Sequence, residues 1–209
     1  QSRFIGTPDA LRIAQHWTLP VCVKTGSNAA SCTVVTEESQ TIRVPGCGAA
    51  MVNAGGVGYY LTEYDPAAVM ELAKRTPPLT APERISLLGD EWRMARSGRH
   101  DIGVYLNLAA VFASDRTPEV IGDIAGRIGS VLADIADQDQ RPAFEAWIRK
   151  QFRPALDAIG VTPKPGDSDD IHALRGTLLQ LLSSDADLQR QARTLVERTQ
   201  KLPPSVTRG

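Results

Sequence analysis

The residues of this chain whose types could do chemistry are three histidines, three cysteines, one glycine run and one acidic run. His16, His100 and His172 are widely separated, and none falls in an HExxH or HxH pattern. A zinc-binding helix needs two imidazoles four residues apart on one face, and that spacing is missing. Each histidine is therefore expected as a surface or capping residue. Cys22, Cys32 and Cys47 all lie in the first quarter of the chain, with no CxxC pair and no histidine at a zinc-finger spacing. One disulfide plus one free thiol is open to them, in any of three pairings. Cys22 and Cys32 flank Thr25-Gly26-Ser27-Asn28, a turn-like segment. A hairpin centred near residue 27 would set these two cysteines opposite each other. The alternative is three reduced thiols packed as small hydrophobes.

Gly55-Gly56-Val57-Gly58 has the glycines that a phosphate-cradling loop needs. Such a loop follows a strand and opens a helix, whose amides point at the phosphate. Here the strand-like Tyr59-Tyr60-Leu61 follows, so a hairpin turn or bulge is the expectation. No Walker lysine and no GxSxG elbow occur. Asp167-Ser168-Asp169-Asp170 lacks the spaced ligands and final Glu of an EF-hand. It is read as the solvated cap of a helix starting near Asp169. Asp137, Gln138 and Asp139 are read as an exposed interhelix loop, and Trp17, Trp92 and Trp147 as core residues. No catalytic, cofactor-binding or metal-ligating residue is assigned, and residue chemistry alone supports an interaction or scaffold module.

Two kinds of element would position these residues. Before Asp65 the chain is rich in Gly, Ser, Thr and Val, with alternating runs at 18–25, 31–36 and 40–44 and further apolar pairs at Met51-Val52 and Tyr59-Tyr60. Short strands separated by turn formers predict a small all-β sandwich over residues 1–64. From Asp65 the apolar period becomes 3.6. Asp65-Pro66 and the capping box Thr80-Ala81-Pro82-Glu83 mark helix starts. Stripes follow at Ile85, Leu88, Trp92 and Ala95; at Ile102, Tyr105, Leu106, Ala109, Phe112 and Ala113; and at Ile121, Ile124, Ile128, Val131 and Ile135. Three more run through Phe144, Ile148, Phe152, Ala155 and Ile159; through Ile171, Leu174, Leu178 and Leu182; and through Leu188, Ala192 and Leu195. Short links predict antiparallel neighbours, stacked as a degenerate HEAT-like α-solenoid over residues 65–209.

Composition narrows the function classes. With 42% hydrophobic residues and 23 Lys plus Arg against 24 Asp plus Glu, the chain is neither disordered nor charged enough to attract nucleic acid. The longest mostly apolar stretch, residues 102–113, is too short for a bilayer, which takes roughly 20 residues.

The order of local patterns says more than any single motif. Gln1-Ser2-Arg3-Phe4, Trp17-Thr18-Leu19-Pro20-Val21, Asn53-Ala54-Gly55-Gly56-Val57-Gly58-Tyr59-Tyr60 and Tyr64-Asp65 follow one another. Then come Arg84-Ile85-Ser86-Leu87-Leu88-Gly89-Asp90-Glu91-Trp92, Ser97-Gly98 and Leu174-Arg175. This ordered set resembles the C-terminal part of the aminopeptidase N family of thermolysin-like zinc aminopeptidases. The family usually carries Arg after the paired tyrosines, where this chain has Leu61. The resemblance implies a β-sandwich cut at its N-terminal side, then a helical domain that continues past Lys201-Leu202-Pro203-Pro204. It implies that zinc and the catalytic residues belong to a catalytic domain upstream, which would be the partner of this region. It also implies that this region covers the cleft and restricts which peptides enter. The resemblance allows a secreted or periplasmic setting, which the cysteine cluster slightly favours. Two further expectations are a free-standing helical-repeat scaffold as the alternative reading, and self-association through the apolar stripe Leu188, Leu195 and Val196.

Overall fold

A computed structural model of the chain describes residues 17–75 and 77–200, the last three by backbone alone. His16 and the Gln1-Ser2-Arg3-Phe4 segment lie outside the described residues. Three strands come first: β1 (Leu19–Thr25), β2 (Ser31–Val35) and β3 (Ala50–Val52). Among the described residues they form one antiparallel sheet in the order β2-β1-β3, where a two-sheet sandwich was expected. Alternation along β1 buries Val21, Val23 and Thr25 on one face.

Two runs read as strands are irregular, and local bonds say why. The Gln40 side chain turns back on the end of β2, donating to the Val34 carbonyl (3.2 Å) and accepting from the Thr36 amide (3.3 Å). The chain after β3 enters a 3-10 turn, Ala54–Gly56, through Asn53 at φ 61°, Gly55 at 81° and Gly56 at 68°. Asn53 then brackets Gly58, accepting from its amide (2.6 Å) and donating to its carbonyl (3.0 Å). The glycine run is thus a tight turn bound by one asparagine. The Tyr59-Tyr60-Leu61 segment beyond it pairs with no strand.

Seven helices follow among the described residues: α1 (Pro66–Ala73), α2 (Ala81–Arg96), α3 (Ile102–Val111), α4 (Pro118–Asp134), α5 (Arg141–Ile159), α6 (Asp169–Leu181) and α7 (Ala186–Gln200). Their starts follow from side-chain chemistry. Thr80 and Glu83 complete the capping box of α2. Asp101 accepts from Gly103 N at α3, and Ser168 accepts from Ile171 N at α6. Asp65 occupies the N-cap position of α1 without a side-chain cap bond, so Pro66 at the first helical position carries that start.

The change from strand to helix falls at Pro66, but the chain forms two compact units that divide between Phe112 and Ala113. In the first unit α3 packs on α1 and α2, and the turn after β3 packs on α2. In the second, α6 packs on both α4 and α5, burying Ile121, Ile124, Ile128, Phe152, Leu156, Leu174 and Leu178. The main partner of α4 is α6, one helix beyond its chain neighbour. The helical content is as expected; a regular HEAT-like stack is not established by these contacts.

Candidate functional site

The buried charge of the first unit gathers along one face of α2. The apolar stripe read from the sequence passes through Ile85, Leu88, Trp92 and Ala95, yet the buried face of α2 also carries Glu83, Asp90 and Glu91. Glu83 is 1% exposed and is met by the Lys24 ammonium of β1 at 2.7 Å. It also accepts from the amides of Gly55 and Thr80, each at 2.9 Å. Burial raises its carboxyl, but Lys24 and the two amides outweigh that and hold it below its ordinary value. One carboxylate therefore ties β1, the Ala54–Gly56 turn and the α2 N-terminus together.

Two turns further along α2, Asp90 accepts from the Thr62 amide at 3.0 Å. Glu91 meets His100 Nδ1 at 2.9 Å, and His100 Nε2 faces Glu63 at 3.8 Å. Arg99 forks onto the same Glu63, with Nε at 2.9 Å and Nη2 at 2.5 Å. Burial pushes the Glu91 carboxyl up, and His100 offsets this in part. Arg99 pulls the Glu63 carboxyl down. His100, expected at the surface or at a cap, has a side chain only 7% exposed. The segment after the glycine turn is thus fastened to α2 and to the loop that follows it. These groups hold chain segments together, and both nitrogens of His100 are directed at carboxylates.

Other candidates fall apart spatially or have structural roles. Cys22 and Cys32 are cross-strand partners in the β1–β2 register, with Cα atoms 4.0 Å apart and sulfurs bonded at 2.02 Å. Cys47 is free and exposed. It lines a shallow depression of about 470 Å³ with Gly26, Met70, Glu71, Lys74 and Arg75. Asp167 joins Arg175 at 2.5 Å, and Arg175 also donates to the Gly160 carbonyl at 2.8 Å, closing the loop before α6. Arg153 of α5 meets Asp185 at 3.3 Å and Asp187 at 3.1 Å, fastening the start of α7. His172, Asp137 and Asp139 are exposed. Trp92 packs edge-on to Tyr105 and Trp147 stacks on Phe144, while Trp17 is 42% exposed and so is not the core residue expected.

Sequence reasoning found Glu83 as a capping residue and missed Asp90, Glu91 and Glu63. Their partners lie too far along the chain for a local pattern to show them. Among the described residues no group of three His, Cys, Asp or Glu side chains is placed to hold a metal ion. No helix among them is long and apolar enough to cross a membrane.

The comparisons with known proteins bear on the whole arrangement. Aminopeptidase 2 of Candida albicans is 26% identical over 194 residues, covering 90% of this chain and 21% of that protein. Mitochondrial aminopeptidase 2 of Saccharomyces cerevisiae is 23% identical, covering 92% of this chain and 21% of that protein. The Tricorn protease-interacting factor F2 of Thermoplasma acidophilum is 26% identical, covering 90% and 24%. The chain spans about a fifth of the length of the curated relatives it matches. Residues 50–208 match the ERAP1-like C-terminal domain, a span that takes in β3, the glycine turn and all seven helices. The chain belongs to the ERAP1-like C-terminal domain family, in keeping with its resemblance to the C-terminal region of the aminopeptidase N family.

Proposed function

We propose that this chain is a non-catalytic C-terminal part of a zinc aminopeptidase, which covers the active-site cleft and restricts the peptides that enter. The parent enzyme would remove N-terminal amino acids from peptides, with its zinc held by a catalytic domain in the same chain. The observation that carries this reading is the family match over residues 50–208. The chain's share of about a fifth of its relatives leaves room for the catalytic machinery elsewhere. Closure of such a cover excludes water and completes a site assembled by another domain. The clasp at Glu83 and the Glu91–His100–Glu63 cluster support a positioning role, because they fix segments of the chain to each other. The Cys22–Cys32 bridge supports an oxidising setting, secreted or periplasmic.

The test is direct. The purified chain should release no amino acid from aminoacyl-nitroanilides and bind no stoichiometric zinc. Hydrolysis that follows the purified chain and disappears with a chelator overturns the proposal. An HExxH motif encoded upstream of Gln1 supports it. A start codon close to Gln1 favours the free-standing scaffold instead.

A further inference from the structure

We propose that the Cys22–Cys32 bridge is a redox latch: oxidation holds β2 in register on β1, and reduction lets β2 leave the sheet while the rest of its unit stays folded. Three observations meet here. First, among the described residues β2 lies at the edge of the sheet, paired with β1. Second, none of its five side chains is buried, whereas β1 buries three of its seven. An edge strand with no buried side chain is held by its ladder alone, and an isolated two-stranded ribbon is marginal in water. Third, the bridge joins the directly opposed pair Cys22 and Cys32, so it closes only when the strands are paired in this register.

The bridge is also reachable. Cys32 is exposed and Cys22 half-buried, so a small thiolate can attack the Cys32 sulfur from solvent. In that step a low-molecular-weight thiol forms a mixed disulfide with Cys32, the original S–S bond breaks, and Cys22 leaves as a thiolate. A second thiol molecule then attacks the mixed disulfide, takes the first as an external disulfide, and leaves Cys32 reduced. The thiol is oxidised, the protein disulfide is reduced, and both cysteines are protonated from solvent.

Release stays local because, among the described residues, the ties that bind β1, β3 and their flanks to the rest of the unit bypass β2. Lys24 of β1 and Gly55 of the turn bond to Glu83, Ala49 N bonds to Glu71, and Tyr64 bonds to Val52. Gln40 is the side chain that bonds to the far edge of β2, and it comes from the chain directly after the strand, so it would move with it.

Amide hydrogen exchange on the whole chain tests this, with and without a reducing thiol, beside the double variant C22S/C32S. The expected result is exchange at residues 31–35 about tenfold faster or more on reduction and in the variant, with residues 87–94 of α2 unchanged. Unchanged protection of residues 31–35 in the reduced chain overturns the latch. Joint loss of protection in β2 and α2 also overturns it, making the bridge a folding staple instead. If the double variant fails to fold, the reduced wild-type chain decides by the same readout. Three free thiols in the air-oxidised chain would overturn it as well.

Discussion

Glu83 shows how one residue is half legible. Its place three residues after Thr80 marks it as the far member of a capping box, and the structure has that box. The same carboxylate also accepts from Gly55 and pairs with Lys24, 28 and 59 positions away. No local pattern announces those partners, since the spacing rules for side-chain pairs reach only three or four residues along a helix. His100 was read as a surface group for the same reason: its carboxylates come from α2 and from the chain before α1. We predict that Glu83→Gln costs about 2–3 kcal/mol in urea unfolding at neutral pH, because Lys24 keeps its charge beside a neutral amide. The sign of the pH dependence is fixed by the lowered carboxyl. A depressed folded value means that Glu83 stabilises above its ordinary value of 4.5 and that this contribution is lost as pH falls through the folded value. The gap between wild type and variant should therefore be fully present above the ordinary value of 4.5 and narrow as pH falls through the lowered folded value. A gap that widens on acidification would show that Glu83 is not held as a carboxylate.

At the scale of elements, the helix stripes were legible because one buried face repeats every 3.6 residues. The stripe Ile121, Ile124, Ile128 and Val131 is the buried face of α4, and Ile148, Phe152, Ala155 and Ile159 lie on that of α5. Strands fared worse. The residues at 40–44 alternate like a strand, but Gln40 bonds back to β2 and the ladder never forms. The glycine turn is the sharper case, since its strained backbone meets a neighbouring helix. A Cβ on Gly56 would stand 3.1 Å from the Pro82 carbonyl and 3.2 Å from Ser86 Oγ, at a φ of +68°. Gly98, at +72°, has nothing within 4 Å of that position. Gly56→Ala is predicted to cost about 1–3 kcal/mol, and Gly98→Ala less, since only the backbone term applies there. Equal costs in urea titrations would mean that the turn and α2 can part without penalty.

For the whole molecule, composition and surface act together. Lys plus Arg and Asp plus Glu nearly cancel, leaving a net charge of −1 and a pI near 6.4, so little charge keeps copies apart at neutral pH. Against that weak repulsion stand exposed apolar groups. Val57 is 79% exposed and Tyr59 fully so, both directly after the turn that Asn53 and Glu83 hold rigid. On α7, Leu188 is buried while Leu195 and Val196 are 47% and 55% exposed, so the stripe seen in the sequence is covered at one end of the helix only. The α7 patch was expected from its apolar stripe, whereas the Val57–Tyr59 patch was not, because an apolar residue's period says which face it shares and not whether that face is covered. Apolar groups held on a rigid turn lose little entropy when they associate, so the Val57–Tyr59 knuckle should dominate self-association of the chain. The chain is expected to be least soluble near its pI and to stay dispersed as pH rises about two units above it. The double variant V57S/Y59S should reduce light scattering at the pI while shifting unfolding by no more than about 0.5 kcal/mol, since both side chains are exposed. Unchanged scattering in that variant, with scattering lost in Val196→Ser, would move the association to α7 and to the self-association expected from its apolar stripe.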